Sequence, residues 1–569
     1  MKRKIIYTLT LLSLLLSIAY IRFNVSEVKA TNGIDLSKIY GVDMLWNNTM
    51  AVNDVAVSKD GNYVVAVNNT GVYYFESDNS TPKWWYLASS QSQYFLSVAA
   101  SVDGEYVVVG DYEYYDDNYH GYVLYFNDSR MSTGERLSPS WKSMDLWGPV
   151  ERGTLDISND GEYVVVGGTG IGLYYFADCS GRSGSGEVPT WYKYFGINDF
   201  LTVHMSSDGS YVAAGGRNNT WEGFVMFYKN ANVAPYPTEP DWCSWDLSSP
   251  ITDLAVSDDG YAVVAIDELV IRTLYYWGNA TTLAGNPEPT WTNDGAFSCV
   301  DMSADGDEVV AGTSPLMPCG LHFWADARKR SGPDQEENWT KLTGEIVFDV
   351  AISDDGGVIA ATTEMIPLAM VSPTKAVIDS YYKAYFFKSD GTMIDEFGLL
   401  QFSNVVSMSG DGRITAVGGG IGLDSLYVFE LILDITPPLI ENVHQTPLPD
   451  NVYDEDVVMV YANVTDDLSG VKKVILNYTI DDETWFAFEM DNPEGNLYNH
   501  TIQGYEYCTT VTYMIMAEDN FNNTSTTEEM GYHVIPEFSP QTILPLFIVA
   551  TLLMLVIYKR KFIHRKNRQ

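Results

Sequence analysis

The chain has 569 residues, 46% of them hydrophobic and 13% aromatic, enough to bury several cores and inconsistent with a disordered polymer. Its formal charge of −42 is concentrated in the middle: residues 31–535 carry 22 Lys and Arg against 73 Asp and Glu, a net of −51, while both ends are basic. A field of that sign repels phosphate backbones and excludes nucleic acid as a partner, while it suits solubility in salt, attraction of divalent cations and binding of basic partners.

The N-terminus reads Lys2-Arg3-Lys4, an apolar run from Ile5 to Ile21, and a small-residue site at Val28-Lys29-Ala30. That is the layout of a secretory signal over residues 1–30, with an uncleaved signal anchor as the alternative.

From residue 52 one unit recurs: a strand runs into Ser-x-Asp-Gly and a second strand leaves. The Asp residues are Asp60, Asp103, Asp160, Asp208, Asp259, Asp305, Asp355 and Asp411, spaced by 43, 57, 48, 51, 46, 50 and 56 residues. Ser and Asp cap backbone N–H groups there, and Gly takes the φ > 0 position that closes a type I turn with a bulge. Each hairpin is followed by a strand ending in aromatics, such as "GVYYF" or "IGLYYF", and in most copies by a strand opened by Pro-x-Trp: Trp84, Trp141, Trp191, Trp242, Trp291 and, without its Pro, Trp339. Four strands at this period make one propeller blade. The eighth repeat lacks a fourth strand. Trp46 precedes Asp60 by 14 residues, and the later Trp-to-Asp steps are 19, 19, 17, 17, 14 and 16. Residues 40–48 are therefore expected to pair with 425–432 and close the ring, removing the exposed edges of an open array.

The repeats resemble WD-type and quinoprotein-like propeller repeats over roughly residues 40–434. The Trp-Asp ending of the first and the Ala-x-Asp-x-x-Thr-Gly signature of the second are absent. The resemblance therefore implies architecture but no cofactor.

At "DITPPLIENVHQTPLP" paired prolines stop a strand and stiffen a linker. Residues 439–534 show short alternating strands and no Ser-x-Asp-Gly, a β-sandwich by size and spacing. The string from "ITPP" through "ANVTDDLSGVKKVILNYTID" to "TVTYMIMAEDNFNNT" resembles the Ig-like and fibronectin-like stalk modules of prokaryotic surface proteins, without the Cys pair and central Trp of antibody domains.

Near the C-terminus, Ile543 to Tyr558 is a 16-residue apolar run followed by Lys559, Arg560, Lys561, Arg565, Lys566 and Arg568. The positive-inside tendency keeps that tail cytoplasmic. Pro536-Glu537-Phe538, then the apolar helix, then the basic cluster resembles the PEF-type C-terminal sorting signals of archaeal surface proteins. The resemblance implies a membrane protease-transferase that cuts near the motif and passes the protein to a lipid or other anchor; a plain tail anchor is the alternative.

Thirteen Asn-x-Ser/Thr acceptors, including Asn68, Asn79, Asn127, Asn218, Asn279, Asn463 and Asn477, fit a glycosylated exterior protein. Five cysteines without Cys-x-x-Cys spacing disfavour zinc or iron–sulfur sites, and Cys179 and Cys243 are read either as a disulfide or as buried free thiols.

No His motif of catalytic or metal-binding spacing occurs. Asp156 and His204, two positions before the turn in adjacent repeats, are candidates for a polar pair near the channel. The acidic stretch from Asp111 to Tyr119 offers hard oxygen ligands at Asp111, Asp116 and Asp117, which makes Ca²⁺ possible there, although the spacing is not that of an EF-hand. Loops between second and third strands open on one face of a propeller, and they read as expanded at 111–121, 215–223, 312–320 and 361–382. Inserted loops carry function on repeat scaffolds. Tyr112, Tyr114, Tyr115 and Trp221 on that face are the ligand-binding candidates, suited to stacking on sugar rings or packing against a partner.

The sequence thus predicts an all-β chain: signal peptide (1–30), eight-bladed β-propeller (31–434), Ig-like or fibronectin-like β-sandwich (435–535), and sorting motif, transmembrane helix and basic cytoplasmic tail (536–569). The expected function is non-enzymatic recognition of an extracellular glycan or protein, or a structural place on the outer face of the membrane. The alternative is a quinoprotein-like, PQQ-dependent oxidoreductase.

Overall fold

The computed structural model describes residues 35–194, 199–234, 236–237, 239–268, 272–313, 319–365, 382–400, 403–419, 426–536 and 540–566. The signal segment, Glu537 and Phe538 of the sorting motif, and most of the 312–320 and 361–382 insertions lie outside the described residues. The chain forms two compact units, Met1–Ile432 and Leu433–Gln569.

Each repeat turn is built as its residues require. In the first, Ser58 Oγ donates to Asp60 Oδ1 at 2.6 Å, while Asp60 Oδ1 accepts from the Asn62 N–H and Ser58 Oγ from the Tyr63 N–H, both at 3.0 Å. The glycine has φ between 64° and 77° in all eight turns. Gly161 is held twice over, because a Cβ there would lie 2.1 Å from the Tyr106 ring.

Among the described residues the strands of the first unit form eight sheets, each led by the strand that enters a Ser-x-Asp-Gly turn. Their eight leading strands touch one another in a closed circle, giving a propeller-like fold. Backbone bonds run round the turn end of this circle. The N–H of Val102 donates to Asn159 O, Asn159 to Ser207 O, Asp258 to Ala304 O, Ala304 to Asp354 O, Asp354 to Gly410 O and Gly410 to Lys59 O, all at 2.7–3.0 Å. The remaining links are Asp60 N–H to Val102 O and Ser207 N–H to Asp258 Oδ1, both at 2.9 Å. The circle closes where the two ends of the unit meet, and there Ile39–Asn48 forms the outer strand beside Leu426–Leu433, as the position of Trp46 anticipates.

The aromatic signature is the wall between sheets. Trp141 stacks on Tyr125 at 5.1 Å and 11°, and Trp191 on Tyr175 at 5.0 Å and 9°. Each indole N–H donates to a carbonyl of the next repeat: Trp84 to Ser129, Trp141 to Cys179, Trp191 to Ala231, Trp242 to Ala280, Trp291 to Ala327 and Trp339 to Ser389. Trp46 makes the same bond to Ser77 at 2.8 Å, so the N-terminal strand is chemically as well as topologically a fourth strand. The spacer before Pro-x-Trp also has a structural role. Gly134–Glu135 pairs in parallel with Trp84–Trp85, and Gly184–Glu187 with Trp141–Ser143, which covers the outer edge of the preceding sheet.

Two expected insertions change: of 215–223 only 218–222 connect the paired strands Tyr211–Arg217 and Gly223–Lys229, and 111–121 is no loop. Val107–Tyr115 and Asn118–Phe126 are a continuous antiparallel ladder, turned by Asp116 and Asp117 with φ of 50° and 61°. Two consecutive left-handed residues make the mirror-image turn that matches strand twist, so the extra residues lengthen strands instead of bulging out. Cys179 and Cys243 are free buried thiols, and burial pushes both thiols well above the usual range.

Among the described residues the second unit has two sheets. Leu439–Thr446, Val458–Thr465, Leu497–Ile502 and Asp491–Glu494 form one; Trp485–Glu489, Val471–Thr479, Thr510–Asp519 and Thr524–Thr526 form the other, with Met530–His533 added to Thr510–Asp519. Alternate residues Val458, Val460, Ala462 and Val464 of one sheet share a core with Val474, Leu476, Ile515 and Ala517 of the other. Pro540–Lys566 is a helix, and its side chains from Leu544 to Tyr558 are exposed. Among the described residues no helix is long and apolar enough to cross a membrane, so the expected transmembrane helix is not found.

Candidate functional site

The extended hairpin Val107–Phe126 carries a cluster of exposed aromatic rings, Tyr114, Tyr115 and Tyr119. Strand alternation sends Tyr112 and Tyr114 to one side and Glu113 and Tyr115 to the other. On the first side Tyr112 stacks on Tyr94 at 5.0 Å, and Tyr119 meets both Tyr112 and Tyr114, at 5.8 and 5.1 Å. On the second side Tyr115 lies flat on the His120 ring, 3.8 Å away at 7°, and its hydroxyl is 3.0 Å from that of Tyr122. The ammonium of Lys142 sits 3.5 Å over the Tyr122 ring and pairs with Glu113 at 2.9 Å.

His120 is fixed from below by Asp145, whose Oδ2 lies 2.5 Å from Nδ1. The other carboxylate oxygen of Asp145 accepts from the Trp147 N–H at 2.8 Å, and Trp147, in the left-handed region at φ 64°, is 72% exposed. Its ring is 6.0 Å from His120. Tyr119, His120, Asp145 and Trp147 escape the sequence reading. The signal for the first two is adjacency to the tyrosine run. For Trp147 it is that connections between fourth and first strands open on the same face as those between second and third.

A bonded path leads from this cluster to Trp221. Leu146 N–H donates to Gly121 O at 3.0 Å, Thr169 Oγ1 to Glu151 Oε2 at 2.8 Å, and Gly170 N–H to Asp199 Oδ1 at 2.9 Å. Asp199 Oδ2 accepts from Arg217 Nε at 2.8 Å, and that guanidinium lies 4.0 Å from the ring of Trp221, which is 62% exposed. The structure therefore gathers Tyr112, Tyr114 and Tyr115 on one hairpin and places Trp221 two repeats along the same face.

The proposed oxygen ligands do not converge. Asp111 is a buried strand residue whose Oδ2 accepts from Gln93 Nε2 at 2.7 Å, and burial pushes its carboxyl up to about 7. Asp116 and Asp117 are exposed turn residues. Among the described residues these three are not within ligand reach of one another. Of the glycosylation candidates, Asn79 and Asn279 are exposed, and Asn68, Asn127, Asn218, Asn463 and Asn477 are half-buried. Pro536 is half-buried at the end of the described second unit.

The leading strands line the axis with carboxylates that stitch neighbouring sheets together. Asp54 Oδ2 accepts from the Val98 N–H, Asp156 from Met205, Asp253 from Val300, Asp301 from Ile352 and Asp349 from Val406, all at 2.8–3.0 Å. Burial pushes Asp54 and Asp301 up to about 6 and Asp253 to about 7. Arg152 Nη2 reaches one of them, Asp349, at 3.3 Å, and at the turn end Lys59 Nζ reaches two further carboxylates, Asp354 at 3.3 Å and Asp258 at 3.8 Å. His204 Nε2 lies 3.9 Å from Asp156 Oδ2, close to it but beyond hydrogen-bond distance.

No protein-family model matches the chain, and no curated protein matches it. Among solved structures it is similar to the C-terminal WD40 domain of Sif2, with a TM-score of 0.47 and 13% identity over 69% of this chain and 99% of that one. A structure of the mitotic checkpoint complex is similar at a TM-score of 0.38 and 13% identity, covering 72% of this chain and 98% of that one.

Proposed function

We propose that this chain is a non-enzymatic recognition protein of the cell exterior, an eight-bladed propeller with an Ig-like stalk, that holds glycans on the aromatic edge formed by its second to fourth repeats. The observation that carries the reading is the rigid, exposed ring array: Tyr114, Tyr119, Trp147 and Trp221 are 45%, 56%, 72% and 62% exposed, yet they rest on a strand ladder and an anchored loop. Rings held this way lose little freedom when a flat apolar sugar face stacks on them. Asp116 and Asp117 beside them accept hydrogen bonds from hydroxyls. Exterior placement rests on the N-terminal signal pattern, the glycosylation acceptors and the acidic surface. Attachment at the C-terminus rests on the sequence order Pro536-Glu537-Phe538, apolar run and basic tail, which resembles C-terminal sorting signals whose proteins are passed to a lipid or other anchor.

A glycan array probed with residues 31–535 tests the recognition. Replacing Tyr114, Trp147 and Trp221 together by Ala is expected to abolish binding to the glycans found while leaving thermal unfolding nearly unchanged, since exposed substitutions shift stability by about 0.5 kcal/mol or less. Undiminished binding in the triple variant refutes the site.

A further inference from the structure

We propose that the second unit binds a calcium ion between Asp434, Asp466 and Asp519. These residues are far apart in sequence, yet one carboxylate oxygen from each lies within 4.8 Å of the others. Asp434 and Asp519 are fully buried, and Asp466 is half-buried.

Each carboxylate is delivered by its own element. Asp434 follows the last strand of the repeats at the mouth of the Pro437-Pro438 linker. Asp466 follows Val458–Thr465 and opens a turn in which its Oδ1 accepts from the N–H of Gly470 at 2.7 Å and of Leu468 at 3.2 Å. Asp519 ends Thr510–Asp519, and its Oδ1 accepts from the N–H of Phe521 and of Asn523, both at 2.8 Å. The two turns are tied together, because Asn520 Nδ2 donates to Ser469 O at 2.7 Å, and Asn523 Nδ2 donates to Asp519 Oδ2 at 2.7 Å and to Asp434 O at 3.0 Å.

The protein's own donors do not satisfy this arrangement. Asp434 Oδ2 is buried without a hydrogen-bond partner, as is Ser469 Oγ in the adjoining turn. Burying a carboxylate oxygen without a donor is costly, and three carboxylates so close repel one another, unless a cation lies among them. The donor set is all oxygen and carries up to three negative charges, with no imidazole or thiolate, which favours a hard cation. Turns of this kind adapt to the longer and less regular coordination of Ca²⁺ more readily than to the strict octahedron of Mg²⁺. The ion would pin Asp434, at the start of the second unit, to two of that unit's strand ends. This site is independent of the glycan reading and of Asp111, Asp116 and Asp117.

The test uses the full-length chain, stripped with EDTA and titrated with Ca²⁺ alone, followed by calorimetry and by thermal unfolding. Binding with a dissociation constant of about 1 mM or tighter is expected, and at about 10 mM Ca²⁺ the transition of the second unit should rise by about 5 °C. Asp434→Asn and Asp466→Asn should each remove both effects, whereas Asp116→Asn should not. If Asp434→Asn prevents folding, Asp466→Asn decides alone, because that residue is half-buried and its turn bonds survive on the amide oxygen. A wild-type transition that Ca²⁺ leaves unmoved, or a shift that persists in Asp466→Asn, overturns the proposal.

Discussion

Replacing Trp141 measures the wall between two neighbouring sheets. Its side chain is fully buried, stacked on Tyr125 on one side and 5.4 Å from Phe176 on the other, and its indole N–H donates to Cys179 O at 2.9 Å. Trp141→Ala removes the ring and leaves a cavity in a wall with two aromatic sides, a change that costs about 3–5 kcal/mol. Trp141→Phe keeps a ring over Tyr125 but strands a buried carbonyl, which costs about 1–3 kcal/mol. With an unfolding entropy of about 2 cal/mol/K per residue over roughly 400 residues, the melting temperature of the first unit should fall by about 4–6 °C for Ala and about 1–4 °C for Phe. Scanning calorimetry of both variants beside wild type measures the two shifts. A Phe variant that melts with wild type would refute the contribution of the indole bond, and an Ala variant losing less than about 1 kcal/mol would refute the account of the wall itself.

Deleting residues 31–50 should expose the backbone edge of Leu426–Leu433 and drive aggregation; a soluble truncation with unchanged melting would show that closure does not depend on Trp46 and its strand. For Asp111 the sign follows from its raised carboxyl: a folded value near 7 against about 4 in the unfolded chain means that its contribution is fully present below about pH 4 and is lost as pH rises through about 7. Asp111→Asn should therefore flatten the fall in melting temperature between pH 5 and pH 8, and an identical pH profile in the variant would refute the assignment. Lys59→Met leaves the Asp258 and Asp354 carboxylates without the cation they share at the turn end, so it should lower the urea midpoint of the first unit, and an unchanged midpoint would refute a contribution from these ion pairs. Mass spectrometry of the protein from its native cell should find no peptides beyond about residue 540, and recovery of the basic tail would refute processing at Pro536-Glu537-Phe538.

The sequence by itself determined whatever is local or repeated. Ser-x-Asp-Gly fixes its turn through bonds within five residues, so eight copies predict eight hairpins, and the position of Trp46 relative to the next Asp locates a missing fourth strand almost 400 residues from its partner. Alternation over residues 457–517 likewise marks both faces of the second unit. Tertiary structure decided what depends on pairing partners. The run from Asp111 to Tyr119 reads as a loop because polar and aromatic residues alternate without an apolar face, yet its partner strand turns it into a ladder. Its aspartates part company there: one is buried against Gln93 and two stand at the exposed tip. Trp147 and Asp145 join the aromatic cluster only because a connection between repeats folds onto a neighbouring hairpin. Asp434, Asp466 and Asp519 are ordinary turn acids in sequence. They become neighbours because three chain segments end at the same edge of one core, and no spacing along the chain records that meeting.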